Sequence, residues 1–218
     1  MIDKNYKKFY INHFKRIQNK ADKHFYDEAA IPSYTHSNTL ISRIFWDRLN
    51  SAFSLAEDIN NKKVLDFGSG GGVTFKYLAD SGGHISACEK HFLGLTKKMA
   101  MTLKINIQIY KDISEIKDTF FDIIFALDVL EHIENLKPIL EILKKISHEK
   151  TKIIISGPTE NTIYRLGKHL AGFKGRYHLR NIYDVERELR ESGFMMKKLK
   201  KLYFPIILFR VSLWNYAR

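Results

Sequence analysis

The chain has 218 residues, of which 44% are hydrophobic, and its formal net charge is +12. This length and apolar content predict one sizeable core with appendages, and no apolar run reaches the roughly 20 residues that a membrane-spanning helix needs. Cys88 is the only cysteine, which excludes an internal disulfide and predicts a small buried residue in a strand. The first residues lack the apolar stretch of a signal peptide, so a cytoplasmic location is expected.

The positive charge is concentrated towards the two ends of the chain. Residues 1–24 hold seven lysines and arginines against two acids, and residues 165–218 hold thirteen against four, which leaves the middle slightly acidic. This distribution favours an anionic partner, and the alternatives are a phosphate-bearing substrate, a membrane surface and RNA. A solvated basic surface that keeps the protein in solution explains the same pattern.

Residues 1–58 are predicted to form an N-terminal helical cap. Aromatic residues recur at helical spacing within the polar and basic residues 3–24, which indicates a peripheral amphipathic helix. A second helix is expected over residues 40–56, and Pro32 separates it from a shorter aromatic segment.

The stretch from Val64 to Gly72, Val-Leu-Asp-Phe-Gly-Ser-Gly-Gly-Gly, predicts a buried strand that turns tightly into a helix. It lacks the dinucleotide pattern Gly-x-Gly-x-x-Gly, because Val73 occupies the last position. The glycines let the backbone approach a ligand, Asp66 suits an ammonium group, and the loop N–H groups suit a carboxylate. A tight turn that binds no ligand is the alternative.

A second short apolar run, from His84 to Glu89, closes on an acid one strand-helix-strand unit later. In a parallel sheet the ends of two such strands lie side by side, so Asp66 and Glu89 are expected at one edge. A third strand is predicted over residues 105–110, shortly before Asp112.

The stretch from Phe121 to Ile133 reads Phe-Asp-Ile-Ile-Phe-Ala-Leu-Asp-Val-Leu-Glu-His-Ile. It predicts a buried strand that runs into a helix. The helix would carry Asp128, Glu131 and His132 at positions i, i+3 and i+4, which places all three on one face.

The glycine loop with Asp66, the two acids Glu89 and Asp112, and the Leu-Glu-His-Ile stretch resemble class I S-adenosylmethionine-dependent methyltransferases of the type 11 and type 12 families, which include ubiquinone-biosynthesis enzymes. The resemblance covers residues 60–158. It implies an α/β, Rossmann-like class I methyltransferase fold: a seven-stranded, mostly parallel sheet with helices on both faces and an antiparallel C-terminal hairpin.

By this resemblance, residues 59–218 form the cofactor-binding core. The remaining sequence completes it with a fifth strand ending at Pro158, a helix over residues 182–191, and hairpin strands over residues 194–203 and 206–214. The apolar residues around Pro205 are expected to lie in the buried hairpin.

The resemblance also implies S-adenosylmethionine as the cofactor, with Glu89 accepting both ribose hydroxyls. Asp112 would accept the adenine amino group, with Ile113 against the ring, although a helix N-cap is an alternative role for Asp112. The residues expected at the cofactor are Asp66, Gly68, Ser69, Gly70, Gly72, Glu89, Lys90, Asp112, Ile113, Leu127 and Asp128.

Methyl transfer needs an acceptor atom held in line with the S–CH3 bond, so positioning supplies most of the catalysis and a catalytic residue is not obligatory. His132 is the candidate general base, since an imidazole with a pKa near neutrality suits the deprotonation of a hydroxyl. A structural hydrogen bond is the alternative role for this histidine.

A divalent metal is a further hypothesis. Asp128, Glu131 and His132, with His178 as a fourth ligand, are similar to the Glu-x-x-Glu-His sites of metal-dependent O-methyltransferases, with Asp in place of the first Glu. Acids that favour the positive end of a helix dipole are the alternative explanation.

Residues 159–180 are the least family-like segment and are predicted to form a substrate lid. In the family the N-terminal helices commonly cover the cofactor, and core packing is the alternative role for their aromatic residues. The residues expected at the substrate are Tyr26, Tyr34, His36, Arg165 and His178.

These features predict a methyltransferase that O-methylates a small-molecule or lipid-linked acceptor. The basic groups of the lid favour an anionic acceptor, or peripheral contact between the lid and an anionic membrane. Two alternatives are RNA methylation by means of the basic ends, for which an aromatic RNA-binding signature is missing, and cofactor or partner binding without catalysis.

Overall fold

Strands and helices alternate along the chain in the computed structural model, which describes residues 2–18, 31–170 and 179–216. The helices are α1 (Lys4–Gln18), α2 (Ile31–Thr35), α3 (Thr39–Ala56), α4 (Phe75–Asp80), α5 (Leu93–Leu103), α6 (Leu136–Lys145), α7 (Thr162–Leu170) and α8 (Ile182–Glu191). The strands are β1 (Lys63–Phe67), β2 (His84–Cys88), β3 (Gln108–Tyr110), β4 (Phe121–Leu127), β5 (Ser147–Pro158), β6 (Phe194–Leu202) and β7 (Phe209–Tyr216). This alternation is typical of an α/β fold.

Within the described ranges the strands form one seven-stranded sheet in the order β3-β2-β1-β4-β5-β7-β6. The first five strands pair in parallel, and β7 runs antiparallel to both β5 and β6. The predicted fold class is therefore confirmed. The order in which strands are added reverses between β1 and β4, and sheets of this kind bind ligands at the carboxyl ends of the strands at such a reversal.

Hydrophobic clusters cover both faces of the sheet, and β4 shows how the sequence supplies them. Ile123 and Phe125 belong to the cluster shared with α1, α3, α4 and α5. Ile124 and Ala126 belong to the cluster shared with α6 and α8. Successive side chains of a strand point to opposite faces, so a continuous apolar run is needed in a strand that is buried on both sides.

Helix α8 begins and ends where the sequence predicts. The Asn181 side chain accepts hydrogen bonds from the N–H groups of Tyr183 and Asp184, and the Asp184 carboxylate accepts the N–H of Asn181. This reciprocal capping satisfies N–H groups that the first helical turn leaves without an intrahelical partner.

The hairpin is shorter than predicted, and the segment between its strands is exposed. Strand β6 ends at Leu202 and β7 starts at Phe209. Between them, Phe204 is 82% exposed and Ile206 is 43% exposed, so the expectation of a buried strand here is wrong. Pro205 has no N–H to donate to a ladder, which disfavours a continuous strand through this position.

The predicted N-terminal helix is present as α1, and its aromatic side chains pack on α3. Tyr10 and Phe14 are buried, and the Tyr10 ring lies 6.5 Å from the ring of Trp46 on α3. Cys88 is buried at the end of β2, as predicted. Among the helices of the described residues, none combines the length and the apolar character needed to cross a membrane.

Candidate functional site

A cavity of about 320 Å³ lies at the carboxyl ends of β1, β2 and β4, at the reversal of the strand order. Parts of the segments 66–74, 89–92 and 127–132 form its wall, together with side chains from the N-terminal helices and Leu179. The glycine loop, the two strand-end acids and the stretch after β4 thus surround one space. This volume lies in the range of small-molecule sites.

Asp66 lies at the β1 side of the cavity and is only 3% exposed. Burial raises the pKa of its carboxyl group to about 7. A hydrogen bond of 2.5 Å from Thr74 Oγ1 lowers this pKa, and the nearby charge of Glu89 raises it. A carboxyl group in this setting gains stability from a cation placed beside it, because the cation favours the ionised form.

Glu89 follows β2 and holds the loops around it through backbone hydrogen bonds. Its Oε2 accepts the N–H of Gly70 at 2.7 Å, and its Oε1 accepts those of His91 and Phe92 at 2.9 and 3.0 Å. Asp66 pairs in register with Ala87, so the two acids lie at one edge of the sheet, as the sequence predicts. An ionised carboxylate offers about four acceptor positions, so Glu89 retains capacity for a ligand hydroxyl.

The glycine loop requires glycine at Gly68. Its φ is +78°, and a Cβ at this position would lie 2.6 Å from Val129 Cβ across the cavity floor. Gly72, also expected at the cofactor, has a φ of +69° and lies against α4, where a Cβ would be 2.8 Å from Phe75 Cδ2. Gly72 therefore serves the turn itself, while Gly68 and the segment between the two glycines line the cavity.

The stretch after β4 differs from the prediction. Only one turn of 3-10 helix forms there, from Leu130 to His132, and Asp128 precedes it with a φ of 53°. Asp128 is fixed instead by Ser156, whose Oγ donates to Oδ1 at 2.8 Å and whose carbonyl accepts the Asp128 N–H at 3.1 Å. The expectation that Asp128, Glu131 and His132 share one helical face is therefore wrong.

The metal hypothesis depends on that shared helical face, which the structure does not contain. In the part of the chain that the structure describes, no group of three or more His, Cys, Asp and Glu side chains is arranged to hold a metal ion. Asp128 forms an ion pair with Arg48, and His178 lies outside the described residues.

Glu131 and His132 are neighbours in sequence but occupy different environments. His132 is half-buried and lines the cavity. Glu131 is 1% exposed, and neither carboxylate oxygen has a hydrogen-bond partner among the described residues. Burial raises the pKa of Glu131 to about 7, although nearby Arg48 lowers it.

Arg48 is a residue of the cavity wall that the sequence reasoning missed. It lies on α3, is 2% exposed, and donates from Nη2 to the Tyr34 hydroxyl at 3.0 Å. Its guanidinium lies 4.9 Å from the Phe45 ring and 5.3 Å from the Phe209 ring. Its spacing in the sequence could have identified it, because Arg48 follows Phe45 by three positions and precedes Ala52 by four. This spacing places Arg48 on the apolar face of the helix, which faces the core.

Helix α1 contacts the glycine loop through two tyrosine hydroxyls. Tyr10 donates to the Gly72 carbonyl at 3.0 Å and accepts the N–H of Lys76 at 3.0 Å. Tyr6 donates to the Val73 carbonyl, and burial raises the pKa of both tyrosines. Phe14, one helical turn further on, reaches the cavity wall.

Of the other residues expected at the cofactor, Lys90, Asp112 and Ile113 do not line the cavity. Asp112 caps the turn that follows β3, accepting the Ser114 N–H at 2.9 Å, and its hydrogen bonds with Ser114 lower the Asp112 pKa. The helix N-cap role is thus observed for Asp112. Ile113 is buried and Lys90 is exposed, whereas Leu127 and Ser69 lie in the cavity wall.

The residues expected at the substrate are dispersed. Tyr34 lies in the cavity wall, and His36 Nδ1 accepts the N–H of Asn38 before α3. Arg165 is exposed and lies 3.6 Å from Glu160. Tyr26, like His178, falls outside the described residues.

Comparison with characterised proteins gives distant relatives of one kind. The chain is 26% identical over 140 residues to a ubiquinone biosynthesis O-methyltransferase of Rickettsia bellii, covering 62% of this chain and 58% of the relative. It is 28% identical over 143 residues to the enzyme of the same name from Rickettsia felis, covering 62% of this chain and 57% of the relative. The chain thus aligns with less than two thirds of the length of these relatives.

Two solved structures share the fold over most of the chain. Magnesium protoporphyrin IX methyltransferase from Synechocystis, with bound S-adenosylhomocysteine (SAH), has a TM-score of 0.66 at 17% identity, covering 94% of this chain and 99% of the other. An N-methyltransferase from Bradyrhizobium japonicum, in complex with S-adenosyl-L-homocysteine, has a TM-score of 0.67 at 14% identity, covering 90% and 98%.

The model of one protein family, described as a methyltransferase domain, matches residues 41–199. This range contains the strands that surround the cavity, the glycine loop and both strand-end acids. The match spans most of the chain, and the chain therefore belongs to this methyltransferase family.

Proposed function

We propose that the protein is an S-adenosylmethionine-dependent methyltransferase that methylates an oxygen atom of a small-molecule or lipid-linked acceptor. The observation that carries the proposal is the juxtaposition of Asp66 and Glu89 on either side of the glycine loop at the cavity. The names of the Rickettsia relatives support oxygen as the methylated atom, and the SAH bound in the two structural neighbours supports the cofactor.

The residues of the wall fit the groups of this cofactor. Asp66 would bind the ammonium group of the cofactor, the N–H group of Gly71 would face the cofactor carboxylate, and Glu89 has acceptor capacity for the ribose. Because Gly68 has no Cβ, the loop can lie close to Val129 at the floor of the cavity. When bound, the cofactor supplies a methyl group on a sulfonium, which is already activated for transfer.

We assign the remaining wall residues to an acceptor side, which combines apolar side chains with the ion pair between Arg48 and Asp128. Phe14, Tyr34 and Leu179 line this side, and His132 contributes an imidazole group to it. We assign His132 as the general base that takes the proton of the acceptor hydroxyl, because it lines the cavity and imidazole titrates near neutrality. Replacing His132 by Asn should lower kcat and remove the corresponding limb of the pH–rate profile, without weakening SAH binding.

An exposed apolar surface beside the site supports a lipid-linked acceptor. Ile163 and Leu166 on α7 are 49% and 58% exposed, and Phe204 and Ile206 are exposed in the hairpin turn. We call these four residues the lid patch. The Asn161 side chain donates to the Ile207 carbonyl at 2.8 Å, which ties the start of α7 to this turn.

Methyl transfer from labelled cofactor tests the proposed function directly. Purified protein is incubated with methyl-labelled S-adenosylmethionine and either a lipid extract, a soluble metabolite extract or total RNA. We expect label in the lipid or small-molecule fraction, and an Asp66→Ala variant should lose it. Label in the RNA fraction alone, or no transfer by a protein that binds SAH, would contradict the proposal.

Vesicle flotation tests the lid patch. Wild-type protein should float with phosphatidylglycerol vesicles at low salt, because basic side chains such as Arg165 stand beside the apolar ones. Leu166→Glu should reduce flotation, whereas Met101→Glu, at a 78% exposed position on α5, serves as the matched control. Equal flotation of the two variants would count against membrane contact through this surface.

A further inference from the structure

The acceptor side of the cavity contains a buried cation, the guanidinium of Arg48, which two aromatic rings and a tyrosine hydroxyl contact. Arg48 is 2% exposed, yet it forms part of the cavity wall. The Phe45 and Phe209 rings lie 4.9 and 5.3 Å from its guanidinium carbon, which restricts the plane in which the guanidinium can bind a ligand. Such a group is held in place before any ligand arrives.

The partners of Arg48 leave part of its donor capacity unused. Nη2 donates to the Tyr34 hydroxyl, and the guanidinium is paired with Asp128. Nε is buried and has no hydrogen-bond partner in the described structure. A guanidinium carries five N–H donors, and native proteins seldom leave a buried donor without an acceptor.

The neighbours of Arg48 are themselves held by other contacts. Ser156 donates to the second carboxylate oxygen of Asp128 at 2.8 Å, which fixes Asp128 to β5. The Tyr34 hydroxyl accepts from Arg48, so its own proton can be donated to a further acceptor. The Arg48 Nε–H and the Tyr34 O–H are therefore two neighbouring donors that have no acceptor in the described structure.

The described wall of the cavity contains three acids and one cation. Asp66 and Glu89 stand on the cofactor side, whereas Asp128 pairs with Arg48, which is the only lysine or arginine among the described residues of the wall. A planar guanidinium matches the oxygens of a carboxylate or a phosphate, with which it forms charge-assisted hydrogen bonds. A neutral, purely apolar acceptor would leave the remaining Arg48 donor, Nε–H, without an acceptor.

We infer that Arg48, assisted by Tyr34, anchors an anionic group of the acceptor, a carboxylate or a phosphate, beside the oxygen that is methylated. The inference rests on the proposed function, because it assigns the Asp66 side of the cavity to the cofactor. It makes Arg48 a specificity-determining residue: an acceptor that lacks the anionic group binds more weakly.

Calorimetric titration of the SAH-saturated protein tests the inference without requiring turnover. The probes are benzoate, phenyl phosphate and benzamide, of which benzamide is the neutral analogue of benzoate. We expect at least one anion to bind about tenfold more tightly than benzamide, since hydrogen bonds to charged groups are the stronger ones. Benzoate binding alone indicates a carboxylate, and phenyl phosphate binding alone indicates a phosphate.

Variants show whether Arg48 causes the preference. Arg48→Met keeps an unbranched apolar stem but removes the guanidinium, so it should abolish the preference for the anion, while the affinity for SAH stays the same. Arg43→Met on the same helix, at a side chain 73% exposed, is the matched control and should retain it. Tyr34→Phe keeps the ring and should reduce the preference severalfold, which provides a second variant if Arg48→Met does not fold.

Equal binding of anions and benzamide to the wild type would overturn the inference, and so would an anion preference that survives in Arg48→Met. A fall in melting temperature with an unchanged preference would show that Arg48 is structural only. Failure of the proposed function gives a different result, because it appears as absent SAH binding or absent methyl transfer in the wild type.

Discussion

Gly70 donates its backbone N–H to Glu89 Oε2 over 2.7 Å. The hydrogen bond joins the loop after β1 to the acid after β2, two segments that the sequence separates by a complete helix. Glu89 therefore shapes the glycine loop before it contacts any ligand, a role that the strand-end position alone does not reveal.

Replacing Glu89 by Gln tests this role. The amide nitrogen of Gln cannot accept a hydrogen bond, so the variant loses either the bond from Gly70 or those from His91 and Phe92. Each hydrogen bond to a charged group contributes about 1.5–3 kcal/mol, so SAH affinity should fall at least about tenfold. Calorimetry measures the effect, and Glu149→Gln at an exposed position is the control. Unchanged SAH affinity would show that the loop keeps its shape without the carboxylate.

Replacing Gly68 by Ala should destabilise the protein by at least about 2 kcal/mol, because the residue has a positive φ and its new Cβ would overlap Val129. The double variant Gly68→Ala/Val129→Ala should recover the part of the loss that comes from the overlap. Gly94→Ala is the control, since a Cβ there meets nothing within 4 Å. Chemical denaturation measures all four proteins, and a neutral Gly68→Ala would refute the close approach.

Replacing Tyr10 by Phe should lower the free energy of unfolding by about 1–3 kcal/mol. The Tyr10 hydroxyl bridges the Gly72 carbonyl and the Lys76 N–H, and both are left without this partner in the variant. SAH binding should also weaken, because the glycine loop loses its attachment to α1. Tyr216→Phe, whose ring packs against Phe194 at 5.3 Å, is the control. Loss of stability with unaltered SAH binding would show that the contact with α1 does not influence the cofactor site.

The affinity for SAH should increase as the pH rises from about 6 to about 8. In the free protein the pKa of Asp66 is raised to about 7 by burial, and the ammonium group of the ligand binds the ionised carboxylate. Ionisation of Asp66 grows with pH across this window, so the Kd falls. Asp66→Asn should bind weakly with a flat pH profile. A wild-type Kd that is independent of pH would place the ammonium group elsewhere.

Replacing Glu131 by Gln should stabilise the cofactor-free protein at about pH 8 and leave it nearly unchanged at about pH 5. Burial raises the pKa of Glu131 from 4.5 to about 7 in the folded protein, so the unfolded chain ionises first and wild-type stability falls as the pH rises between these values. Gln cannot ionise and avoids this loss, which is of the order of 3 kcal/mol. Melting temperatures across this range measure the effect, and a less stable variant at high pH would indicate an ionic partner for Glu131.

The sequence predicts the sheet and the positions of the two strand-end acids well because both depend on local patterns. Apolar runs that end in Asp66 and Glu89 mark strand ends, and glycine marks a loop that a side chain would obstruct. Parallel pairing then places the two acids together without any knowledge of tertiary contacts. These expectations concern short segments, each of which carries its own signal.

The part of the cavity wall around Arg48 is less predictable because it is assembled from distant parts of the chain. The ion pair between Arg48 and Asp128 joins residues from α3 and from the end of β4, and a helical pattern says nothing about this partner. The prediction of a helix after β4 was also wrong, since Asp128 has a positive φ and belongs to a turn held by Ser156. Tertiary contacts override local propensity at this position.

The family match begins at residue 41, after Phe14 and Tyr34, which line the cavity, and after Tyr6 and Tyr10, which bond to the glycine loop. This part of the cavity wall and of the loop support therefore lies outside the region that the family shares. Grafting this leading segment between relatives should therefore alter both the acceptor choice, through Phe14 and Tyr34, and the affinity for SAH, through Tyr6 and Tyr10.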